Sequence, residues 1–451
     1  MKNRIVYVKA LIGLIIMYYS PLAFSQSMIY ESSQLSEFSI IRNYKPGIDI
    51  TFSDFYGTDI FFSYVDRNTM TTKSVDIAQQ FHVEDFVILD DSVFFCGNKN
   101  QTAICGYFDI NDVFLGGGSI TYFNLYIPYN NSDGLLSMLS KIDVVRTSTG
   151  IVHMLMVGCY YDYDPITLDP CYPSAIVDFW NDPSIGHKIK YTIDMSYKYR
   201  YEDVAITKQY GVVAAATTNN TGAHTHNILY YKIPVGSSDS FLDTWATGGI
   251  SHTPIWTADP STLEAYPYNL RITKMEEDGF ATACINRHSG KLAVSVFDSP
   301  VNPPINRFEI PPDNSSFYLQ DLIYNPLHKY IHLFINNYDN TYSLISTKNP
   351  FSSYTKEKSI LYRWLSMDNA DSNSVEIISG FDMSNSYHMR YWLHDPTYKN
   401  ETCFFYDEQA VVDMEISEEL HTLEQSLDDQ MFPSQSIVTK NTKYYIWIEC
   451  R

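Results

Sequence analysis

Apolar and polar positions along this chain alternate in runs of a few residues, too short for most helices. "SVFFCGNKNQTAICGYFDI", residues 92 to 110, sets two apolar runs either side of a polar, Asn-rich turn. That is the pattern of two strands joined as a hairpin. The arrangement returns in "IDITFSDFYGTDIFFSYVD" (48–66), 151–179, 211–233, "GFATACINRHSGKLAVSVFD" (279–298), "KYIHLFINNYDNTYSLIST" (329–347) and 375–395. Another strand often precedes the hairpin, as in "FSIIRNY", "EDFVILDD", "KIDVVRTS", "EDVAITKQ", "NLRITKME" and "LQDLIYNP". A fourth β-prone stretch such as "SITYFNLYI" or "NRFEIPP" usually follows. Each unit therefore predicts four antiparallel strands. One stretch breaks the pattern: "SEELHTLEQSLDDQMF" has Ser417 as N-cap and Leu420, Leu423 and Leu427 on one face, predicting an amphipathic helix over about 417–431.

A lone four-stranded sheet cannot bury both of its faces, whereas a ring of such sheets buries each against its neighbours. A four-stranded unit repeated about every 50 to 65 residues resembles the β-propellers as a general class. A pair of β-sandwiches is the competing arrangement of short strands. The expected fold is all-β, a single propeller domain over 26–451 with four-stranded antiparallel blades, seven in number, or eight if a last blade is shared. "SQSIVTKNTKYYIWIEC" (434–450) resembles the first two strands of a blade and is expected to close the ring. No named propeller family is matched: a kelch double glycine, a Trp-Asp blade ending and the sialidase Asp-box are all missing.

Composition supports the β reading: aromatic residues make up 15% of 451, with 37 Tyr and 25 Phe, types that suit a pleated, half-buried surface. The first residues read as a signal peptide over 1–25. Lys2, Arg4 and Lys9 form a positive region, Ala10 to Tyr19 a short apolar core, and Ala23-Phe24-Ser25 a cleavage site before Gln26. No later stretch reaches the length of a transmembrane helix. The expected location is outside the cytoplasm: periplasmic, cell-surface or secreted. The formal charge of −21 becomes −24 once the three leader cations are removed. So acidic a surface repels phosphate backbones, which argues against nucleic acid and leaves a glycan or a protein as the expected partner.

An exported chain meets oxidising conditions, so its seven cysteines are read first as disulfides. Cys96–Cys105 and Cys159–Cys171 would each staple a hairpin, and Cys403–Cys450 would tie the last full blade to the chain end. Cys284, in the apolar run "FATAC", reads as a small buried hydrophobe.

Candidate chemistry is sparse. Asp162, Asp164 and Asp169 cluster in the turn after Cys159, where Ca²⁺ is conceivable and an ordinary acidic turn is the plainer reading. No other cofactor is expected. His224 and His226 share one side of a strand, but a third zinc ligand is not identifiable. Asp85, Asp143 and Asp203 recur in "VEDF", "KIDVV" and "YEDVA". They could supply the paired carboxylates of a glycan-cleaving enzyme, or serve as a repeated hydrogen-bond device capping inner strands, the reading favoured here. No Gly-x-Ser-x-Gly elbow, phosphate loop, His-Glu-x-x-His or Cys-x-x-Cys is found. Trp245, Trp256 and Tyr163, in the excursions at 234–268 and 161–188, are the candidate ligand-binding aromatics. The expected function is a non-enzymatic binding module for a glycan or protein, acting through the loop face of the propeller. Its rivals are a glycan-cleaving hydrolase or lyase and a structural part of a surface complex.

Overall fold

The computed structural model describes residues 26–394 apart from stretches between strands, the longest being 161–173, 244–252 and 258–267. β1 (Gln26–Leu35) stands outside the first unit. The first blade is β2 (Phe38–Lys45), β3 (Ile48–Phe55), β4 (Asp59–Asp66) and β5 (Thr71–Asp76). The second is β6 (His82–Leu89), β7 (Ser92–Lys99), β8 (Thr102–Asp109) and β9 (Thr121–Asn124). β10 (Met138–Arg146), β11 (Val152–Cys159), β12 (Ser174–Asp182) and β13 (Gly186–Ile193) form the third. β14 (Tyr199–Ile206), β15 (Tyr210–Thr218), β16 (His224–Lys232) and β17 (Thr253–Thr257) form the fourth. The fifth is β18 (Tyr268–Lys274), β19 (Phe280–Asn286), β20 (Lys291–Phe297) and β21 (Asn306–Ile310). The sixth is β22 (Phe317–Asn325), β23 (Tyr330–Asn337), β24 (Tyr342–Lys348) and β25 (Tyr354–Ser359).

These six sheets each use four consecutive strands, paired antiparallel in chain order. One further four-stranded sheet is composite: β26 (Tyr362–Asn369), β27 (Val375–Asp382) and β28 (His388–His394) are completed by β1 on the outside. Gln26 lies opposite His394 and Ser27 opposite Leu393. The first strand of each blade packs beside the first strand of the next, and β26 packs beside β2. The chain is a β-propeller. The repeat predicted seven or eight like units; six are made of consecutive strands, and the last sheet draws on both ends of the described chain. Its closing strand is β1, whereas 434–450, the expected closer, lies outside the described residues. So do 1–25 and the expected helix at 417–431. The 234–268 connector is also corrected, because it carries β17, the outer strand of the fourth blade. Among the described residues no helix is long and apolar enough to cross a membrane.

Burial follows strand position. In β7 the run Val93 to Gly97 is buried throughout, because both faces meet a neighbouring blade, while outer β5 is mostly exposed. The apolar core is accordingly a circuit of clusters between blades. One joins the first and second blades, where Phe62 packs against Phe52, Phe86, Phe95 and Phe108 at ring separations of 5.0 to 5.8 Å. A second cluster joins the second and third blades and contains Cys96, Cys105 and Ala103.

This placement corrects the Cys96–Cys105 disulfide. The two residues lie directly opposite one another, and the ladder runs on past them to Lys99 and Thr102, so the hairpin is closed without a staple. Both are free, buried thiols, as is Cys284. Burial raises all three above the ordinary thiol range, disfavouring the thiolate that oxidation requires. Cys159 is buried at the end of β11; its expected partner Cys171, like Cys403 and Cys450, lies outside the described residues. No disulfide is present among the described residues.

Two outcomes test this packing. Phe62→Ala should lower unfolding free energy by about 3–5 kcal/mol, the usual cost of emptying a buried aromatic site; a urea-melt difference under about 1 kcal/mol would mean the cluster is loose. Cys96, Cys105 and Cys284 should resist a thiol reagent in the native protein and react after denaturation. Peptide mapping without reductant that recovered Cys96 joined to Cys105 would reverse the correction.

Candidate functional site

Each inner strand has one edge turned to the propeller axis, where no further strand pairs with it. The sequence supplies side chains to meet that edge. Asp85 accepts the N–H of Phe86 (3.0 Å) and, from the next blade, that of Ile142 (3.4 Å). Asp143 accepts from Val144 (2.8 Å) and from Ile206 of the following blade (2.7 Å). Asp203 repeats the device with Val204 (2.8 Å) and Ile272 (3.0 Å), and Asp368 with Asn369 and Asn43 (both 2.8 Å). At two junctions the polarity is reversed. Arg42 donates to its neighbour Ile41 O (2.8 Å) and to Phe86 O across the junction (3.0 Å). Arg271 donates likewise to Leu270 O (3.2 Å) and Gln320 O (3.1 Å). Asn369 bridges the remaining junction by donating to Tyr324 O (2.7 Å).

Six inner strands also carry a bulge near their first residues, placing one extra residue between register positions. In four of them that residue is Glu84, Ser140, Glu202 or Gln320. A bulge re-aims a side chain locally, and all four line one axial cavity of about 430 Å³. Opposite two of these bulges the second strand has glycine. A Cβ on Gly97 would meet His82 O at 2.0 Å, and one on Gly158 would meet Met138 O at 2.1 Å. Only glycine admits so close a backbone. All seven inner strands contribute to the cavity, which lies at their N-terminal ends. This is the end where the connections between blades run.

The lining combines four cations, Arg42, Lys141, Arg200 and Arg271, with four acids, Glu84, Asp85, Glu202 and Asp321. Most are paired. Arg42 meets Asp85 at 2.9 Å, and Arg200 meets Glu202 at 2.7 Å. Glu84 lies near His82 (3.5 Å) and accepts from Asn98 (3.4 Å). Burial raises the Glu84 carboxyl above its usual range, with neighbouring charges opposing one another. Asp203, buried beside the cavity, is pushed up to about 6 by desolvation, against the pull of Lys141, Arg271 and the Ile272 N–H. Lys141 stands above its usual value: burial works against its charge, and Asp85 and the more distant Asp203 and Asp321 outweigh burial and Arg271.

Of the sequence candidates, Asp85 lines the cavity, whereas Asp143 and Asp203 are buried between inner strands and engaged by backbone N–H groups. Trp256 sits in outer strand β17 with its backbone opposite His226, at the same end of the blade as the cavity mouth. His224 pairs with Thr218 at the adjoining turn. Trp245, Tyr163, Asp162, Asp164 and Asp169 lie outside the described residues. Among the described residues no three His, Cys, Asp or Glu side chains are placed to hold a metal. The cations Arg42, Lys141, Arg200 and Arg271 were missed by sequence reasoning. Each lies in a β-prone run, where a lone basic residue reads as a solvent-facing position.

No protein-family model matches the chain, and no curated protein matches it. Among solved structures it is similar to a prolyl endopeptidase at 10% identity and a TM-score of 0.45, over 80% of this chain and 51% of that one. It therefore spans about half the length of that enzyme. It is also similar, at 7% identity and a TM-score of 0.45, to the β-propeller domain of the trilobed protease from Pyrococcus furiosus, over 79% of this chain and 96% of that one. The propeller assignment rests on the sheet topology of this chain.

The Asp203 carboxyl gives a pH signature. Folded, it keeps its proton to about pH 6; unfolded, it releases it near pH 4. Folding takes up a proton between those values, so this group's contribution to stability falls as pH rises through the window. The stability of wild type relative to Asp203→Asn should therefore drop by about 2–3 kcal/mol between about pH 4 and pH 7 in urea titrations. A difference that stays constant with pH would show that burial does not perturb this carboxyl.

Proposed function

We propose that the protein is an exported, non-enzymatic binding propeller that holds the end of a glycan in its axial cavity. One observation carries the reading: side chains from all seven inner strands converge on a single concavity of about 430 Å³, within the range of small-ligand pockets. The lining suits a polar, ring-shaped ligand. Tyr318, 39% exposed, and Phe38 offer aromatic surface beside the charged groups. Trp256, and the aromatics Trp245 and Tyr163, are proposed as a rim that extends the contact onto the loops.

The carboxylates argue for binding over cleavage. Glycosidic hydrolysis needs one carboxyl as proton donor and a second as base or nucleophile, both facing the bond. Asp143 and Asp203 instead accept backbone N–H groups between strands, and Asp85 is engaged by Arg42. Export rests on the sequence of residues 1–25.

A glycan array should show selective retention of the protein, with bound sugar recovered uncleaved. Ser140→Phe, which fills the cavity from a bulge position, should abolish retention with little change in melting temperature. Retention that survives Ser140→Phe would move the site elsewhere, and release of new reducing ends would make the protein an enzyme.

A further inference from the structure

We infer that the axial cavity recognises a carboxylate, held between Lys141 and Arg271, on a ligand that also presents a hydroxyl or amine to Asp321. The inference deepens the glycan reading and uses its cavity.

The argument starts from donors that the fold leaves uncommitted. Lys141 projects into the cavity from β10. Its ammonium has one ionic neighbour, Asp85 at 3.7 Å, and no hydrogen bond among the described residues. Arg271 commits Nε to Gln320 O and Nη1 to Leu270 O, which fixes the guanidinium plane; its Nη2 makes no hydrogen bond among the described residues. The two strands are not neighbours, since β14 lies between them, yet Lys141 and Arg271 line the same cavity and repel each other. Two cations held together with unused donors are relieved by an anion. A planar carboxylate can accept from a guanidinium edge and an ammonium at once.

The surrounding acids select the kind of anion. Asp85 and Glu202 are matched first by Arg42 and Arg200, so Asp85 at 3.7 Å only partly offsets Lys141, and the acids invite no second negative charge. A dianionic phosphate would face all four lining acids, whereas a monovalent carboxylate meets two cations with spare capacity. Among the described residues Asp321 accepts only the Leu322 N–H, through one oxygen (2.8 Å). Its other oxygen remains open to a donor on the same ligand. A uronic acid satisfies this set through its hydroxyls, and an α-amino acid through its ammonium.

Calorimetric titration with glucuronate, glucose, N-acetylglycine, glycine and inorganic phosphate tests the inference on the full chain. At least one carboxylate should bind while glucose binds far more weakly. Lys141→Met should weaken that carboxylate by about tenfold to a hundredfold, as loss of a charge-assisted contact does, and Lys141→Arg should restore most of it. Melting curves of both variants show whether the cavity still forms; should Lys141→Met fail to fold, Lys141→Gln replaces it. Glucuronate binding supports the inference together with the glycan reading. Binding of glycine or N-acetylglycine without any sugar sustains the carboxylate and sinks the glycan. Equal binding of glucose and glucuronate, indifferent to Lys141→Met, sinks the carboxylate and leaves the glycan. Phosphate binding more tightly than every carboxylate, or no binding by any probe at millimolar concentration, overturns the inference.

Discussion

The inner edge of the ring is the constraint on which this structure depends. Blades pack face to face, so the first strand of each sheet pairs on one side only, and its axial N–H and C=O groups have no ladder to join. Buried backbone groups without partners are costly. The chain answers with a side chain at every junction: a carboxylate where the neighbour offers N–H, a guanidinium where it offers C=O, and one amide. These contacts join neighbouring blades across the axis, while the aromatic and aliphatic clusters join them farther out.

Charge at the axis is therefore a consequence of the fold before it is a feature of function. Removing one partner of such a buried set leaves the other unsatisfied, which is why these positions resist change individually. The same requirement explains the cavity. Bulges near the strand starts turn Glu84, Ser140, Glu202 and Gln320 into the space between the seven first strands, and Gly97 and Gly158 keep the second strands out of the way. Farther along the strands Asp143 takes up the axial space with its N–H contacts. The cavity is what remains at the end where the strands begin.

Much of the architecture is legible along the sequence because a blade is local. Its hairpins are set by polar turns such as the one after Lys99, and its alternation of burial by residues within about ten positions. The recurrence of Asp85, Asp143 and Asp203 was visible for the same reason: each sits within the first strand of a repeated unit. What the sequence hides is contact between distant segments. The pairing of 26–35 with 388–394 has no local signal, since the partners come from opposite ends of the described chain. Cys96 and Cys105 were read as a staple because their spacing is local, while their packing against the third blade as buried thiols is not. Arg42 and Arg271 were invisible as a class because their role depends on a carbonyl of the next blade, some 44 and 49 positions away.

A site built this way is separated from the charge of the molecule as a whole. The chain carries a formal −21, and at physiological salt the field of surface charges fades over about 8 Å. Groups lining a cavity feel chiefly one another, with less solvent between them to weaken the interaction. An acidic protein can thus keep Lys141 and Arg271 on one axial cavity, provided neighbouring acids hold each cation in its charged state. Asp85, Asp203 and Asp321 do so for Lys141, and Asp203 leads for Arg271. Asp203 bears part of that load through a carboxyl that is itself desolvated and easily protonated. Protonating it would remove a counter-charge from both cations together, so the clasp between the fourth and fifth blades and the polarity of the cavity are set by the same group.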